Sequence, residues 1–316
     1  MKKLLASLCC VALLLCGCGG AAGKAPTETE EKQMENHVLD GKKFLFIGDS
    51  FLFTGRTVLQ NTGETEAERK YDIGYFYQLC KANGANVSVT NLTVGGTAIS
   101  VILRSRLSML SDLNYDYVVF SGGRNSAKTF ADEKETLEYA KGIFQAKNPD
   151  VKFFYLITSG AHNISVKETF PIDVLNNLDK MTELGVTVVD WGKLVADIIR
   201  GEVAVPGATQ TYDKFTFVHN KSEIDGFHPN QLSGYIVALM LYCTMTGESA
   251  VGQPYSFWND SKLHSQFDPV AYYKYGYTQG DSNYQDVFAS QADMKGIQQL
   301  IDQYIEAKYY MDYNFG

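Results

Sequence analysis

Five short apolar runs alternate with segments of helical spacing, and this alternation limits the fold more than any other feature of the chain. The runs are residues 43–48, 87–92, 117–120, 153–157 and 186–189. Continuous apolar runs of this length are typical of strands buried on both faces. Strands that alternate with helices imply right-handed crossovers and a parallel sheet covered on both sides. The sequence therefore predicts an α/β domain over residues 39–250.

Segments with the apolar periodicity of helices lie between and after these runs. The amino-acid composition changes beyond residue 250. The predicted helices are residues 73–81, 98–110, 133–146, 172–184, 193–199 and 231–246. Residues 251–316 are rich in tyrosine and end in an amphipathic stretch, 293–310. We interpret them as an extension packed on the domain, with a carbohydrate-binding surface as the alternative.

Polar and glycine residues stand where several of the predicted strands end. Ligands bind beyond the carboxyl ends of the strands in open α/β sheets, so these residues are the candidates for a site. Gly-Asp-Ser-Phe (48–51) follows the first strand, a Gly-Gly pair (95–96) the second, and Gly-Gly-Arg-Asn (122–125) the third. Asp-Gly-Phe-His-Pro (225–229) precedes the last apolar helix. Each fragment alone is weak evidence for a functional site, but the four fragments in this order form a specific pattern.

Together the four blocks resemble the GDSL-like or SGNH hydrolases, a family named for the Ser, Gly, Asn and His of its signature blocks. The resemblance covers about residues 42–245. It implies a flavodoxin-like, three-layer α/β/α sandwich with a parallel sheet of about five strands. It also implies an esterase with a serine nucleophile.

The resemblance implies Ser50 as the nucleophile, His228 as the base and Asp225 as the residue that orients the imidazole. A serine hydroxyl is a poor nucleophile until a base takes its proton. His228 would accept that proton and return it to the leaving alcohol. Asp225 stands three residues before His228, a spacing that lets its carboxylate reach the other imidazole nitrogen.

The same resemblance implies an oxyanion hole from the backbone N–H of Ser50, the N–H of Gly96 and the side chain of Asn125. Gly95 is the alternative donor if the register differs by one residue. Ser126 follows the asparagine, where the family commonly has Asp.

Two charged neighbours of these residues, Asp49 and Arg124, are candidate substrate contacts. For Arg124 the interpretation we favour is structural, an ion pair with Asp49.

The composition disfavours several other classes of function. The formal net charge is −8 and no run of Lys and Arg is found, so the chain is a poor candidate for binding nucleic acid. The sequence has no phosphate-binding glycine motif and no zinc-ligand cluster, so we expect no metal and no cofactor. Cys80 and Cys243 lie in apolar helical patterns and are expected to be buried free thiols. We expect a monomer.

The N-terminus predicts export. Lys2 and Lys3 precede a charge-free apolar run over residues 4–16, the pattern of a secretory signal. Leu-Cys-Gly-Cys (15–18) resembles the lipobox of bacterial lipoproteins, which implies a signal peptide over 1–17 and a lipid on Cys18. Residues 18–38 are mostly polar and read as a flexible tether. The alternative is an ordinary signal peptide with Cys18 incidental.

These observations lead to one principal hypothesis and two alternatives. The principal hypothesis is an exported, lipid-anchored, extracytoplasmic esterase that removes short acyl groups from glycans or similar small acyl esters. One alternative is an acyltransferase that uses the same Ser50 site. The other is a surface lipoprotein that binds a substrate without catalysis.

Overall fold

The fold is built on a parallel sheet. The computed structural model describes residues 37–58, 74–122, 128–158, 172–218, 228–255 and 291–307. The strands are β1 (Lys43–Gly48), β2 (Ser88–Thr93), β3 (Tyr117–Gly122), β4 (Lys152–Ile157) and β5 (Val186–Val189). They pair in the order β2-β1-β3-β4-β5, and every pair is parallel. This is the flavodoxin-like strand order, so the predicted fold class is confirmed.

Helices connect the strands and follow the last one. They are α1 (Ser50–Thr54), α2 (Tyr75–Ala82), α3 (Ile99–Arg106), α4 (Phe130–Gln145), α5 (Ile172–Leu175), α6 (Leu178–Glu183), α7 (Trp191–Arg200), α8 (Lys214–Phe217), α9 (Gln231–Thr246) and α10 (Gln291–Ala307). The helix predicted over 172–184 is divided into α5 and α6. The side-chain amide of Asn177 donates to the carbonyl of Asp173 at 2.6 Å, a bond that competes with helix continuation at that point.

Helices cover both faces of the sheet because successive strand residues point to opposite sides. Phe44 and Phe46 face one apolar layer, to which α2, α7, α9 and α10 contribute. Leu45 and Ile47 face the other, which α3, α4, α5 and α6 complete. The three-layer arrangement predicted above is therefore observed.

Helix α9 lies at the centre of the first apolar layer. Every residue from 232 to 243 is buried, so this helix has no polar face. A helix that is apolar all round must be enclosed by other elements, here by α2, α7, α10 and the sheet.

Helix α10 is anchored to α7 by a buried polar cluster. The carboxylate of Asp197 accepts hydrogen bonds from Tyr304 Oη and, at 2.8 Å, from Lys193 Nζ. Burial alone would raise the pKa of Asp197, but these bonds, together with Glu202 and the positive charge of Lys193, lower it. The apolar side chains of Ile297 and Ile301 are fully buried in the same layer.

Parts of the sequence predictions lie outside the described residues. These include residues 1–36 with Cys18, and the tyrosine-rich stretch 256–290. Among the residues that the structure does describe, no helix is both long enough and apolar enough to span a bilayer.

Candidate active site

Ser50 occupies the junction between the first strand and the first helix. β1 ends at Gly48, Asp49 is the N-cap of α1, and Ser50 is the first residue of that helix. The Asp49 carboxylate, 2% exposed, accepts a hydrogen bond from the backbone N–H of Phe51 at 3.1 Å. This cap begins the helix directly after the strand and holds Ser50 at the carboxyl edge of the sheet.

The register of the sheet brings the strand ends that precede the first three motif blocks to the same edge. Gly48 is level with Thr93 on β2 and with Ser121 on β3. A Cβ atom at position 48 would lie 2.8 Å from the carbonyl oxygen of Ser121, so the close approach of β1 and β3 requires glycine there. The three strands therefore end at the same level of the sheet.

Ser50 and His228 are in hydrogen-bond contact although 178 residues separate them along the chain. Ser50 Oγ lies 2.7 Å from His228 Nε2. In the tautomer that carries its proton on Nδ1, Nε2 accepts the hydrogen bond from the serine hydroxyl. The ring of Phe51 lies beside the imidazole, with 5.3 Å between the ring centroids. This arrangement places a base at the distance that activation of a serine nucleophile requires.

The two residues that follow His228 are held by contacts with α8 and by the start of α9. Pro229, next to the histidine, forms an antiparallel bridge with Val218. Asn230 is the N-cap of α9: its side chain accepts from the N–H of Ser233 and donates to the carbonyl of Thr216 at 2.8 Å. His228 is therefore held through the two residues that follow it in the sequence.

A contact between two glycines sets the distance between the serine helix and the histidine helix. A Cβ atom at position 234 in α9 would lie 1.6 Å from the carbonyl oxygen of Gly55, which ends α1. Two residues after Gly55, the hydroxyl of Thr57 donates a hydrogen bond to the carbonyl of Gly234 at 3.1 Å. The backbones of α1 and α9 thus meet directly, close to the residues that carry Ser50 and His228.

Gly96 has a conformation that favours glycine. Its φ is +67°, in the left-handed region, and a Cβ atom there would meet nothing within 4 Å. The requirement for glycine at this position is therefore conformational and not steric. The neighbouring Gly95 lies against Phe53 of α1: a Cβ atom at position 95 would be 3.6 Å from the phenyl ring. Both glycines are exposed to solvent.

Replacing Gly96 with alanine should therefore cost about 1 kcal/mol of stability through backbone strain. If its N–H is an oxyanion donor, relaxation of φ turns that N–H away and kcat should fall about 100-fold. Gly84→Ala is the matched control, because Gly84 has φ +84° and an equally open Cβ position but lies between α2 and β2. Thermal unfolding and ester hydrolysis of both variants test this; equal activity in the two would contradict a role for Gly96 in the site.

Several predicted site residues lie outside the described residues. They are Asp225, Asn125 and Arg124, so the proposed orienting carboxylate, the side-chain oxyanion donor and the Arg124–Asp49 ion pair stay predictions. The Asp49 side chain caps helix α1. Contact of this side chain with a substrate stays a prediction.

Three features in and around the site were not anticipated from the sequence. The N-cap at Asn230 could have been found, because Pro-Asn directly before an apolar helix is a helix-start signal. The contact between Gly55 and Gly234 could not, because nothing local relates two glycines so far apart. Arg56 was also missed: it is buried, has φ +65°, and its guanidinium lies 5.2 Å from the ring centroid of Tyr75.

The thiols of the described chain are poorly suited to serve as alternative nucleophiles. Cys80 and Cys243 are buried and free, as predicted. Burial raises the pKa of both thiols well above the ordinary value, which keeps them protonated and unreactive. Across the described ranges, no group of three or more His, Cys, Asp or Glu side chains is arranged to hold a metal ion.

Comparisons with known proteins add a likeness of fold. No family model and no curated protein matches the chain. Among solved structures, it is similar to a catalytic mutant of Axe2, an acetylxylan esterase from Geobacillus stearothermophilus (16% identity, TM-score 0.46, covering 66% of this chain and 95% of that one). It is also similar to LAE5, an α/β hydrolase enzyme from the metagenome of Lake Arreo, Spain (16%, 0.46, 67% and 98%). A third is described as a GDSL-like lipase from Parabacteroides merdae (17%, 0.45, 67% and 99%). At these identities the likeness is one of fold.

Proposed function

We propose that this chain is a serine esterase of the SGNH kind that hydrolyses acyl esters at Ser50. The observation that carries the proposal is the 2.7 Å contact between Ser50 Oγ and His228 Nε2 at the carboxyl edge of the sheet. Ser50 and His228 belong to the motif blocks that resemble the SGNH hydrolases, and that resemblance predicted the same chemistry. A protein that only binds its substrate has no need of a hydroxyl held on an imidazole.

The proposed reaction proceeds in two steps. Ser50 Oγ transfers its proton to His228 Nε2 and attacks the ester carbonyl carbon. The tetrahedral intermediate then collapses, the C–O bond to the alcohol breaks, and the imidazolium returns the proton to the alcohol oxygen. In the second step His228 takes a proton from water as the water oxygen attacks the acyl carbon. The bond from that carbon to Ser50 Oγ then breaks, the imidazolium returns the proton to Oγ, and the carboxylic acid leaves.

Three further residues complete the proposed site. Asp225 would accept a hydrogen bond from His228 Nδ1, which keeps Nε2 free to accept the serine proton and stabilises the imidazolium. The N–H groups of Ser50 and Gly96 and the amide of Asn125 would stabilise the oxyanion. The exposed, left-handed backbone at Gly96 supports this role, since it leaves the amide open to a ligand.

The proposed substrates are short acyl esters, with acylated glycans first among them, and the proposed location is extracytoplasmic. Support comes from the basic and apolar N-terminus and the Leu-Cys-Gly-Cys motif, which favour export and a lipid on Cys18. A lipid anchor would hold the enzyme beside surface glycans and lipids. We also propose that the chain acts as a monomer without a metal or cofactor.

Labelling of the full chain with a fluorophosphonate probe tests the proposal directly. The probe should modify Ser50, as identified by peptide mass spectrometry, because it reacts with serines activated by a base. Ser50→Ala should abolish labelling, and Ser105→Ala, which alters an exposed serine on α3, should leave it unchanged. Labelling that persists in Ser50→Ala would overturn the assignment of the nucleophile.

Product analysis separates hydrolysis from acyl transfer. The full chain should be incubated with a short-chain nitrophenyl ester in the presence of an oligosaccharide. The esterase releases one carboxylic acid for each nitrophenol. Acylated oligosaccharide in place of the acid would assign the same Ser50 acyl-enzyme to a transferase.

A further inference from the structure

We propose that Asp293, at the start of α10, is a positioning residue for His228. The proposal rests on the esterase function proposed above. It links the C-terminal helix to the site through the segment between α7 and α8, residues 201–213, which we term the strap. No sequence motif pointed to this role, and Asp293 does not itself contact Ser50 or His228 in any contact described.

The first link joins α10 to the strap. Asp293 is fully buried, and its carboxylate accepts hydrogen bonds from the N–H of Thr209 at 2.8 Å and from Thr209 Oγ1 at 2.5 Å. One turn further along α10, a Cβ atom at Gly296 would lie 2.2 Å from the carbonyl oxygen of Pro206. The strap is therefore held on α10 by a charge-assisted pair of bonds and by direct backbone contact.

The second link joins the strap to α8. The ring of Tyr212 lies against that of the fully buried Phe217, with 5.8 Å between centroids. Burial, with a smaller contribution from the Asp293 carboxylate, raises the pKa of Tyr212 to about 12. Asp213 caps α8 in a capping box with Thr216, so the end of the strap and the start of α8 form one rigid corner.

The third link joins α8 to the histidine. The carbonyl of Phe217 accepts from the N–H of Asn230 at 3.1 Å and from Ser233 Oγ at 2.6 Å. The next residue, Val218, pairs with Pro229. Any shift of α8 is thus passed to the two residues that follow His228, and from there to the distance between Nε2 and Ser50 Oγ.

A change at Asp293 should therefore act on the chemical step more than on substrate binding. Displacement of a catalytic group by about 1 Å can lower the rate about 100-fold. In Asp293→Asn the amide oxygen can still accept from the N–H of Thr209, but both bonds lose the carboxylate charge and the bond to Thr209 Oγ1 must reverse its direction, so the strap should loosen by part of that distance. We expect kcat to fall about tenfold with KM changed less than about twofold.

The same helix offers a matched control in Asp302. Its carboxylate accepts from Ser249 Oγ at 2.5 Å and from the N–H of Ala250 at 2.6 Å, the same pair of donor types that Asp293 holds. Ser249 and Ala250 follow the C-terminal end of α9, whereas His228 precedes its N-terminal end. Asp302 is partly exposed, so Asp302→Asn should weaken the docking of α10 to a smaller extent than Asp293→Asn, and it should leave the histidine in place.

The test compares ester hydrolysis, fluorophosphonate labelling rate and thermal unfolding of the two full-chain variants. The expected result is a loss of kcat and of labelling rate in Asp293→Asn alone, measured at a temperature well below the Tm of either variant. Equal kcat in both variants, or an equal loss in both, would overturn the proposal and leave Asp293 a structural residue. Failure of the proposed function is distinguishable, because the unaltered chain would then show no hydrolysis that depends on Ser50.

A second pair of variants serves if Asp293→Asn does not fold. Thr209→Val removes only the hydroxyl donor at nearly constant volume, and Thr209→Ser keeps it. We expect a severalfold fall in kcat for Thr209→Val and near-normal kcat for Thr209→Ser. Equal activity of the two would contradict the proposal.

Discussion

Ser50→Ala should lower kcat/KM for a short-chain ester by at least about ten-thousand-fold. The replacement removes the oxygen that forms the acyl-enzyme and leaves the proposed oxyanion donors in place. Ser50 is half-buried at the start of α1, where alanine is tolerated, so the fold should be retained. Steady-state hydrolysis together with thermal unfolding separates loss of chemistry from loss of structure.

His228→Ala should be about as damaging, and the double variant should be no worse than either single one. Residues that act as a unit are not additive, because removing the base already leaves the serine hydroxyl unactivated. Losses that multiply in the double variant would show that Ser50 and His228 act independently. That result would contradict the mechanism even if each single loss were large.

Gly234→Ala should be strongly destabilising. The added methyl group would overlap the carbonyl oxygen of Gly55, at 1.6 Å, and both partners are backbone that cannot rotate away. We expect a loss of about 3 kcal/mol in the free energy of unfolding, at the upper end of the range for overpacking. Where the variant remains folded, α1 and α9 must separate, so the Ser50–His228 contact should lengthen and kcat should fall about 100-fold.

Gly142→Ala is the matched control for this prediction. Gly142 also lies within a helix, α4, but a Cβ atom there meets nothing within 4 Å. Alanine should therefore stabilise the protein by about 0.5–1 kcal/mol through helix propensity, with activity unchanged. Denaturant unfolding of the two variants gives both values. A Gly234→Ala protein as stable as the unaltered chain would contradict the close backbone contact.

The sheet could be predicted well from the sequence because its strands are buried on both faces. β1 and β5 have the predicted bounds, and α9 begins and ends at the predicted residues. β3 is longer than predicted: Ser121 and Gly122 still pair with β4, although neither continues the apolar run. That strand is extended because tertiary packing buries these two residues, and not because their side chains are hydrophobic.

The short helices could not be predicted in the same way. α1 and α8 have five and four residues, too few to show a helical period. Each depends on a local cap, the Asp49 side chain for α1 and the Asp213 capping box for α8. Caps at single residues are weak signals in a sequence, yet these two position the serine and support the histidine loop.

Two residues of the candidate site could be predicted from the sequence, but the contacts that support them could not. The motif blocks supplied Ser50 and His228, and the structure brings these two together. The contact of Gly55 with Gly234 and that of Asp293 with Thr209 join residues distant in sequence, and neither forms part of a pattern. Only tertiary structure relates such pairs.

The separation of 178 residues between Ser50 and His228 also has a consequence for folding. Contacts between residues so distant along the chain form late, because the entropy of closing a long loop must first be overcome. The sheet can assemble from neighbouring crossovers before α9 docks, and a chain arrested at that stage would have its strands but an inactive serine. Recovery of fluorophosphonate reactivity during refolding should therefore lag behind recovery of secondary structure, which makes the probe a reporter of the docking of α9.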